Sequence, residues 1–298
     1  MSDKPEDNDG VGTTGHSWDG IEEWDNPMPR WWLWTFYATI VWGVIYFVLY
    51  PAWPLVERAT SGVLGYSTRA EVAEQIAAVE AQNAALMSDL AKADLVALSQ
   101  AQGTDLHGFA VNAGAAVFRN NCSQCHGAGA AGVQASGYPN LLDDAWLWGG
   151  EIEQIAYTVT HGIRNEQSPD AHWSEMPAFG RDELLSDEEI AQVVHHVLKI
   201  SGQDHSADLA GPGEELFLNE CAACHMDDGS GNVDLGAPNL TDAIWLYGGT
   251  EATLTETIAN SRFGVMPAWS DQYRPAGGLS QAEINAVAAY VHQLGGGE

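Results

Sequence analysis

Residues 31–50 read WWLWTFYATIVWGVIYFVLY, twenty positions without a charge or a proline. As a helix, such a run spans the hydrocarbon core of a bilayer. Trp31, Trp32 and Trp34 crowd one end, with Tyr50 and Trp53 near the other, the placing of interfacial aromatic belts. A cleaved leader would be shorter, with a basic start and a small-residue cleavage site. Here the preceding stretch is acidic and the following YPAWPLVER offers no such site, so residues 31–53 are expected to remain as a transmembrane anchor. Ahead of the anchor lies an N-terminal segment, 1–30. Its residues 1–15 have the polar, acidic composition of a disordered tail. Trp18, Ile21 and Trp24 fall at near-helical spacing, as in a segment for the membrane surface or a partner.

Behind the anchor, a linker over 54–106 carries a stripe of helical period through Val72, Ile76, Val79, Leu86 and Leu90, interrupted by Asn83. Thr68 and Glu71 have the spacing of a capping box. These features predict one long helix over 68–100, packed on another protein or on the domains that follow.

The rest of the pattern occurs twice. Cys122 to Trp146 is 24 residues, and so is Cys221 to Trp245. YPNLLDDAWLWGG aligns with APNLTDAIWLYGG, EMPAFG with VMPAWS, and LLSDEEIAQVVHHV with GLSQAEINAVAAYV. The first copy has nine extra residues before its Met-Pro, and the second four extra after its own. Each copy reads as helix, cysteine loop, short helices, Met-Pro loop and C-terminal helix. The chain is therefore expected to be mainly α, with tandem domains at 107–202 and 208–298. Units of roughly 90 residues are small for a single core, and a buried prosthetic group would supply the missing apolar mass.

All four cysteines lie in two loops, NNCSQCHG and CAACH, 99 residues apart. A zinc ribbon needs two knuckles around one metal and no histidine behind the second cysteine. A thioredoxin-like pair needs a βαβ context, and no strand pattern surrounds either loop. C-x-x-C-H is the attachment pattern of c-type haem. One helical turn presents both thiols to the two vinyl groups, and the adjacent histidine reaches the iron from the same side. Two covalent haem c groups are thus expected, one on Cys122 and Cys125 with His126 as iron ligand, the other on Cys221 and Cys224 with His225. Met176 and Met266, each before a proline and downstream of a cysteine loop, are the candidate ligands for the opposite haem faces. His161 and His172 are rivals to Met176 but have no counterpart in the second copy. Met226 directly follows His225 and cannot easily cross, which leaves it a surface role. His195 and His196 read as packing or exposed residues, and Trp146 and Trp245 as core. His/Met ligation raises the reduction potential, which suits acceptance of electrons from a cytochrome c.

Charge narrows the partners. Against 41 acidic residues stand 11 basic ones, a net of −30. That balance repels nucleic acid and attracts a basic protein, with solubility as the plainer reading. Lys/Arg bias around the anchor is weak, Arg30 against Arg58. Orientation follows instead from haem attachment, which takes place outside the bacterial cytoplasmic membrane. The N-terminus is then expected in the cytoplasm and the haem domains in the periplasm.

The block HSWDGIEEWDNPMPRWWLWTFYATIVWGVIYFVLYPAWP, followed by two C-x-x-C-H domains, resembles the dihaem subunits (CcoP or FixP) of cbb3-type cytochrome c oxidases, from His16 to the C-terminus. Some family members have two membrane helices; this chain shows one. The resemblance implies tandem class I cytochrome c-like domains. It also implies electron uptake from a soluble or membrane-bound cytochrome c and transfer, through a monohaem subunit, to a catalytic haem–copper subunit that reduces oxygen and pumps protons. This chain has no copper-type histidine cluster, and one span cannot house a haem b pocket, so it would be the electron-transfer subunit of an enzyme. Likeness to small class I cytochromes c further implies that the Pro139 and Pro238 carbonyls accept a hydrogen bond from the axial histidines. The competing readings are a stand-alone membrane-anchored dihaem carrier and a dihaem peroxidase-type enzyme. The latter needs an iron with an open or displaceable face, and the two Met-Pro loops argue against it.

Overall fold

A computed structural model describes residues 11–296 of the chain, which divides into two units, Met1–Gln82 and Asn83–Glu298. Residues 1–10, most of the expected disordered tail, lie outside the described residues.

The first unit opens on β1 (Thr13–Trp18) and β2 (Ile21–Trp24), antiparallel, with Trp18 opposite Ile21. The near-helical spacing of Trp18, Ile21 and Trp24 therefore misled. Asp19 and Gly20 both take positive φ, 51° and 82°, and such a two-residue turn has the twist of a hairpin. All three apolar residues are exposed. Helix α1 (Arg30–Leu49) buries none of its residues within the protein. Among the described residues it is the one helix long and apolar enough to cross a membrane, with a mean hydropathy of 1.6. Residues 62–64 fold back on its end, Val63 N and Leu64 N donating to the Val48 and Leu49 carbonyls. Gly62 permits this at φ 69°, where a Cβ would sit 2.7 Å from Leu49 C.

Helix α2 (Thr68–Ala91) starts one residue earlier in its capping than the sequence predicts. Ser67, not Thr68, caps it, Oγ accepting from Ala70 N at 3.3 Å, while Glu71 accepts from the Tyr66 hydroxyl at 2.6 Å. The helix also ends early. Asp94 accepts from Ala97 N at 2.8 Å and starts a separate helix, α3 (Leu95–Gln100). Of the apolar stripe, Val72, Ile76 and Val79 stay exposed while Leu90 is fully buried.

The second unit is helical: α4 (Asp105–Val117), a wide turn over Phe118–Cys122, α5 (Ser123–His126), α6 (Ile152–His161), α7 (Asp187–Ile200), α8 (Ala207–Glu220), α9 (Ala222–His225), α10 (Glu251–Asn260) and α11 (Gln281–His292). The aligned motifs LSDEE and LSQAE become matching capping boxes, Ser186 with Glu189 and Ser280 with Glu283. Behind them, Ile190, Val193 and Val197 on α7, and Ile284, Val287 and Val291 on α11, are buried at helical spacing. Each such side chain contributes about 1.5–3 kcal/mol of apolar burial.

The helices do not pack in the order the repeat predicts. Helix α11, from the second copy, packs on α4 and α6 of the first; α7, from the first copy, packs on α8 and α10 of the second. Two cores result. One joins Phe118, Ile155 and Val159 to Ile284, Val287 and Trp269; the other joins Val193, Val197 and Phe179 to Phe217, Leu254 and Ile258. Only six residues, 201–206, separate α7 from α8, and so short a connection makes consecutive helices antiparallel neighbours. Glycines let both pairs close. A Cβ on Gly114 would lie 2.6 Å from Ala286 C, and one on Gly213 would lie 2.5 Å from Gln192 C. The second lobe is thus a contiguous segment, roughly residues 174–263, set into a first lobe built from the chain on either side of it.

Candidate haem sites

Each lobe encloses one apolar cavity of about 210 Å³. Cys122, Cys125 and His126 line the first, Cys221, Cys224 and His225 the second. The four cysteines therefore stay in two separate pairs. In each loop the first cysteine is half-buried and the second exposed. Burial, reinforced by Cys125, pushes the Cys122 thiol up to about 11; burial does the same for Cys221, with Glu220 and Cys224 adding to it. Both remain thiols at neutral pH.

The histidines are oriented by the backbone. His126 Nδ1 lies 3.2 Å from the Pro139 carbonyl, and His225 Nδ1 lies 3.1 Å from that of Pro238. A carbonyl oxygen only accepts, so Nδ1 carries the proton and the Nε2 lone pair is left for a metal. Burial lowers both imidazole pKa values, and the proline carbonyls oppose it in part. After each histidine the chain turns in the left-handed region, at Gly127 (φ 78°) and at Met226 (φ 66°). The His126 carbonyl then accepts from Gly132 N at 2.8 Å, and the His225 carbonyl from Gly231 N at 3.0 Å. Met226 serves this turn and is exposed.

The walls are apolar. Trp146 and Trp269 line the first cavity, Trp245 and Phe179 the second. Met266 stands in the first cavity and Met176 in the second. That reverses the expected pairing of each methionine with the cysteine loop upstream of it, because the Met-Pro loops travel with α7 and α11. His161 and His172 line neither cavity. His161 Nδ1 lies 2.9 Å from Ser168 Oγ, and the His172 ring stacks on Trp148 with centroids 4.2 Å apart. His196 is buried beside Phe217, and His195 Nδ1 accepts from Ser206 N at 3.1 Å.

A few polar groups also line the cavities, and the sequence did not single them out. Arg164 lines both cavities, its Nε donating to Gly264 O and its Nη1 to Ser174 O, both at 2.8 Å. Arg262 lines the second, with its guanidinium over the Tyr247 ring. Trp148 Nε1, at the first cavity, is buried without a hydrogen-bond partner. The 99-residue repeat offset holds the signal for part of this set, since it aligns Trp148 with Tyr247 and Gly137 with Gly236. Each glycine lies under the other lobe's ring, Gly137 under Tyr247 and Gly236 under Trp148. An apolar slot with paired thiols, an oriented imidazole and a thioether fits haem c. The orphaned indole N–H and the arginines fit the carboxylates such a group carries.

Two such sites define a c-type cytochrome of two modules, carried behind a membrane-anchoring helix. Comparison with known proteins agrees. Residues 10–57 match the family model for the N-terminal domain of cytochrome oxidase-cbb3, FixP; residues 109–197 match cytochrome c oxidase, cbb3-type, subunit III; residues 210–295 match cytochrome c. The chain is 60% identical over 286 residues to the cbb3-type cytochrome c oxidase subunit CcoP of Cereibacter sphaeroides, covering 96% of this chain and 95% of that one. It is 53% identical to the CcoP of Rhodobacter capsulatus over the full length of both. With the FixP of Azorhizobium caulinodans it shares 48% identity, over 97% of this chain and 94% of that one. The chain belongs to the CcoP/FixP family of cbb3-type cytochrome c oxidase subunits.

Proposed function

We propose that this chain is the electron-receiving arm of its oxidase, with two haem c groups in the periplasm and its N-terminus in the cytoplasm. It would take electrons from a basic soluble or membrane-bound cytochrome c and deliver them, through a monohaem cytochrome c subunit, to the catalytic haem–copper subunit. The observation that carries this reading is the repeated geometry of thiol pair, backbone-oriented imidazole and methionine in one apolar cavity per lobe.

Haem c, when bound, supplies a one-electron couple. The protein's residues do the rest. Cys122 and Cys125, and Cys221 and Cys224, would hold the group by two thioether bonds each, while His126 and His225 would hold the iron. Pro139 and Pro238 fix the imidazole planes. The tryptophan and aliphatic walls exclude water, and the methionine thioether in each cavity, as a ligand, would favour the reduced state. Arg164 and Trp148 would anchor the charged edge.

The test removes thiols and asks what travels with the chain. In the full-length protein, Cys122→Ala/Cys125→Ala and Cys221→Ala/Cys224→Ala should each remove half of the haem stain on a denaturing gel. Wild-type chain purified in mild detergent should bring haem b and copper with it. Undiminished stain, or a chain that purifies free of haem b and copper, rejects the proposal.

A further inference from the structure

We infer that the donor docks on the mouth of the second cavity, over Met226, Val233 and Leu235, so that electrons enter the chain at the site of Cys221, Cys224 and His225. The inference rests on the reading above of a basic cytochrome c donor and deepens it by assigning one face of one lobe. Cys224 and Leu235 both line that cavity and are both exposed. Met226 and Val233, on the loop between them, are exposed as well. An apolar centre with a polar rim is the build of a protein interface. Here the rim is acidic. Glu220 lines the cavity, and Asp227, Asp228 and Asp234 lie on the loop itself. All four are exposed, and none takes part in a salt bridge among the described residues.

The first copy supplies the comparison. At the 99-residue offset Asn121 stands in place of Glu220, Ala128 of Asp227, Gly129 of Asp228 and Ala135 of Asp234. The apolar centre is gone too, with Gly127, Gln134 and Ser136 in place of Met226, Val233 and Leu235. Gln134 is also occupied, its Nε2 donating to Trp245 O at 2.8 Å. Over the aligned stretch, 205–241 holds seven acidic residues and no lysine or arginine, whereas 106–142 holds no acidic residue and one arginine, Arg119. Solubility alone does not explain this. Residues 107–202 hold 12 acidic residues and 208–298 hold 13, so the copies match in amount and differ in placement. Exposure does not separate the mouths either, because Cys125 is exposed like Cys224. Charge does. A lysine-rich surface is drawn and oriented by an acidic rim and not by a neutral one. The docked donor would pass one electron from its ferrous iron to the ferric iron of the Cys221 site and leave in the ferric state, with no bond made or broken.

The test uses the complete oxidase in mild detergent, with a lysine-rich class I cytochrome c as the probe. Asp227→Asn/Asp228→Asn/Asp234→Asn removes three rim charges and keeps an acceptor for Ser230 N, which donates to Asp228 Oδ1 at 2.9 Å. Glu153→Gln/Glu166→Gln/Asp170→Asn removes three exposed charges from the first copy, with the same change in net charge. Binding is measured with both partners oxidised, so that no turnover enters, and is expressed per haem-stained chain. At low salt the rim triple should bind about fivefold more weakly than wild type, within the range of electrostatic steering, and KM for the reduced probe should rise with it. The first-copy triple should stay near wild type. Met226→Asn removes apolar contact at a residue whose φ of 66° asparagine tolerates. It should weaken binding in high salt as well, where charge is screened. Rim and first-copy triples that bind the probe alike overturn the proposal, whatever Met226→Asn does. Wild type that binds no basic probe overturns it together with the basic-donor reading, and loss of haem b and copper from the preparation counts against the subunit reading itself, so the failures are told apart.

Discussion

Gly114→Ala probes the α4–α11 pair at a point of close backbone approach. In a helix interior, alanine is favoured over glycine by about 1 kcal/mol. Against that stands the crossing of α4 and α11. The new methyl would lie 2.6 Å from Ala286 C and 2.7 Å from Tyr290 Cβ, where ordinary contact begins at 3.4 Å. The shortfall is 3.4 − 2.6 = 0.8 Å at the first and 3.4 − 2.7 = 0.7 Å at the second. The first obstacle is backbone, so α11 must move as a body. Overpacking of this kind costs about 1–3 kcal/mol, and a backbone obstacle puts it at the upper end. The net expectation is a loss of about 2 kcal/mol, or roughly 6 °C at ~3 °C per kcal/mol for a unit of this size. Gly108→Ala, on the same helix with nothing within 4 Å, should instead raise the melting temperature by about 3 °C. Thermal loss of helical circular dichroism in the detergent-solubilised chain, followed alongside the Soret band, reads both. If Gly114→Ala melts at or above wild type while Gly108→Ala behaves as expected, α4 does not meet α11 at that residue.

Arg164→Gln removes a desolvated positive charge that lines both cavities; both midpoint potentials should fall together in a redox titration, and a fall in only one would contradict the shared wall. Burial lowers the His196 pKa, Lys199 lowers it further and Glu214 opposes, so the folded state holds a neutral ring that the unfolded chain protonates below about 6.5. Stability should therefore decline as pH falls through that value, and His196→Leu should flatten the decline in urea titrations between pH 7 and 5. Residues 107–298 hold 26 acidic and 6 basic residues, so turnover with a sub-saturating basic cytochrome c should drop as salt shortens the Debye length towards about 8 Å; a flat salt response would point to a tethered or neutral donor.

The two cysteine loops were legible as separate sites because their pattern is local. Cys122, Cys125 and His126 lie within five residues, and Pro139 follows His126 by 13, in step with Pro238 after His225. The anchor was legible from length and composition alone. The hairpin is hidden by the near-helical spacing of Trp18, Ile21 and Trp24, and its signal is the Asp19-Gly20 turn between them. The pairing of methionines with cysteine loops is not written in the repeat at all. Helices α7 and α11 present the same buried pattern, so either could pack on α4 or on α8. What decides is the length of the connection at 201–206, a quantity that no motif records. Arg164 belongs to no motif, because its importance comes from lining two cavities that only the folded chain brings together.

The insertion of one lobe within the other also sets an order in time. A chain made from its N-terminus completes residues 174–263 before α11 exists, so the lobe of Cys221 can close first. The lobe of Cys122, though its cysteines emerge about a hundred residues earlier, lacks Met266 and the buried face of Ile284 and Val287 until synthesis is nearly over. Spanning the longer interval adds little to the closure entropy, about 0.6 kcal/mol for each doubling of loop length. The consequence is kinetic. The first-made cysteine loop thus belongs to the lobe that closes last, when the final helix arrives to complete its core.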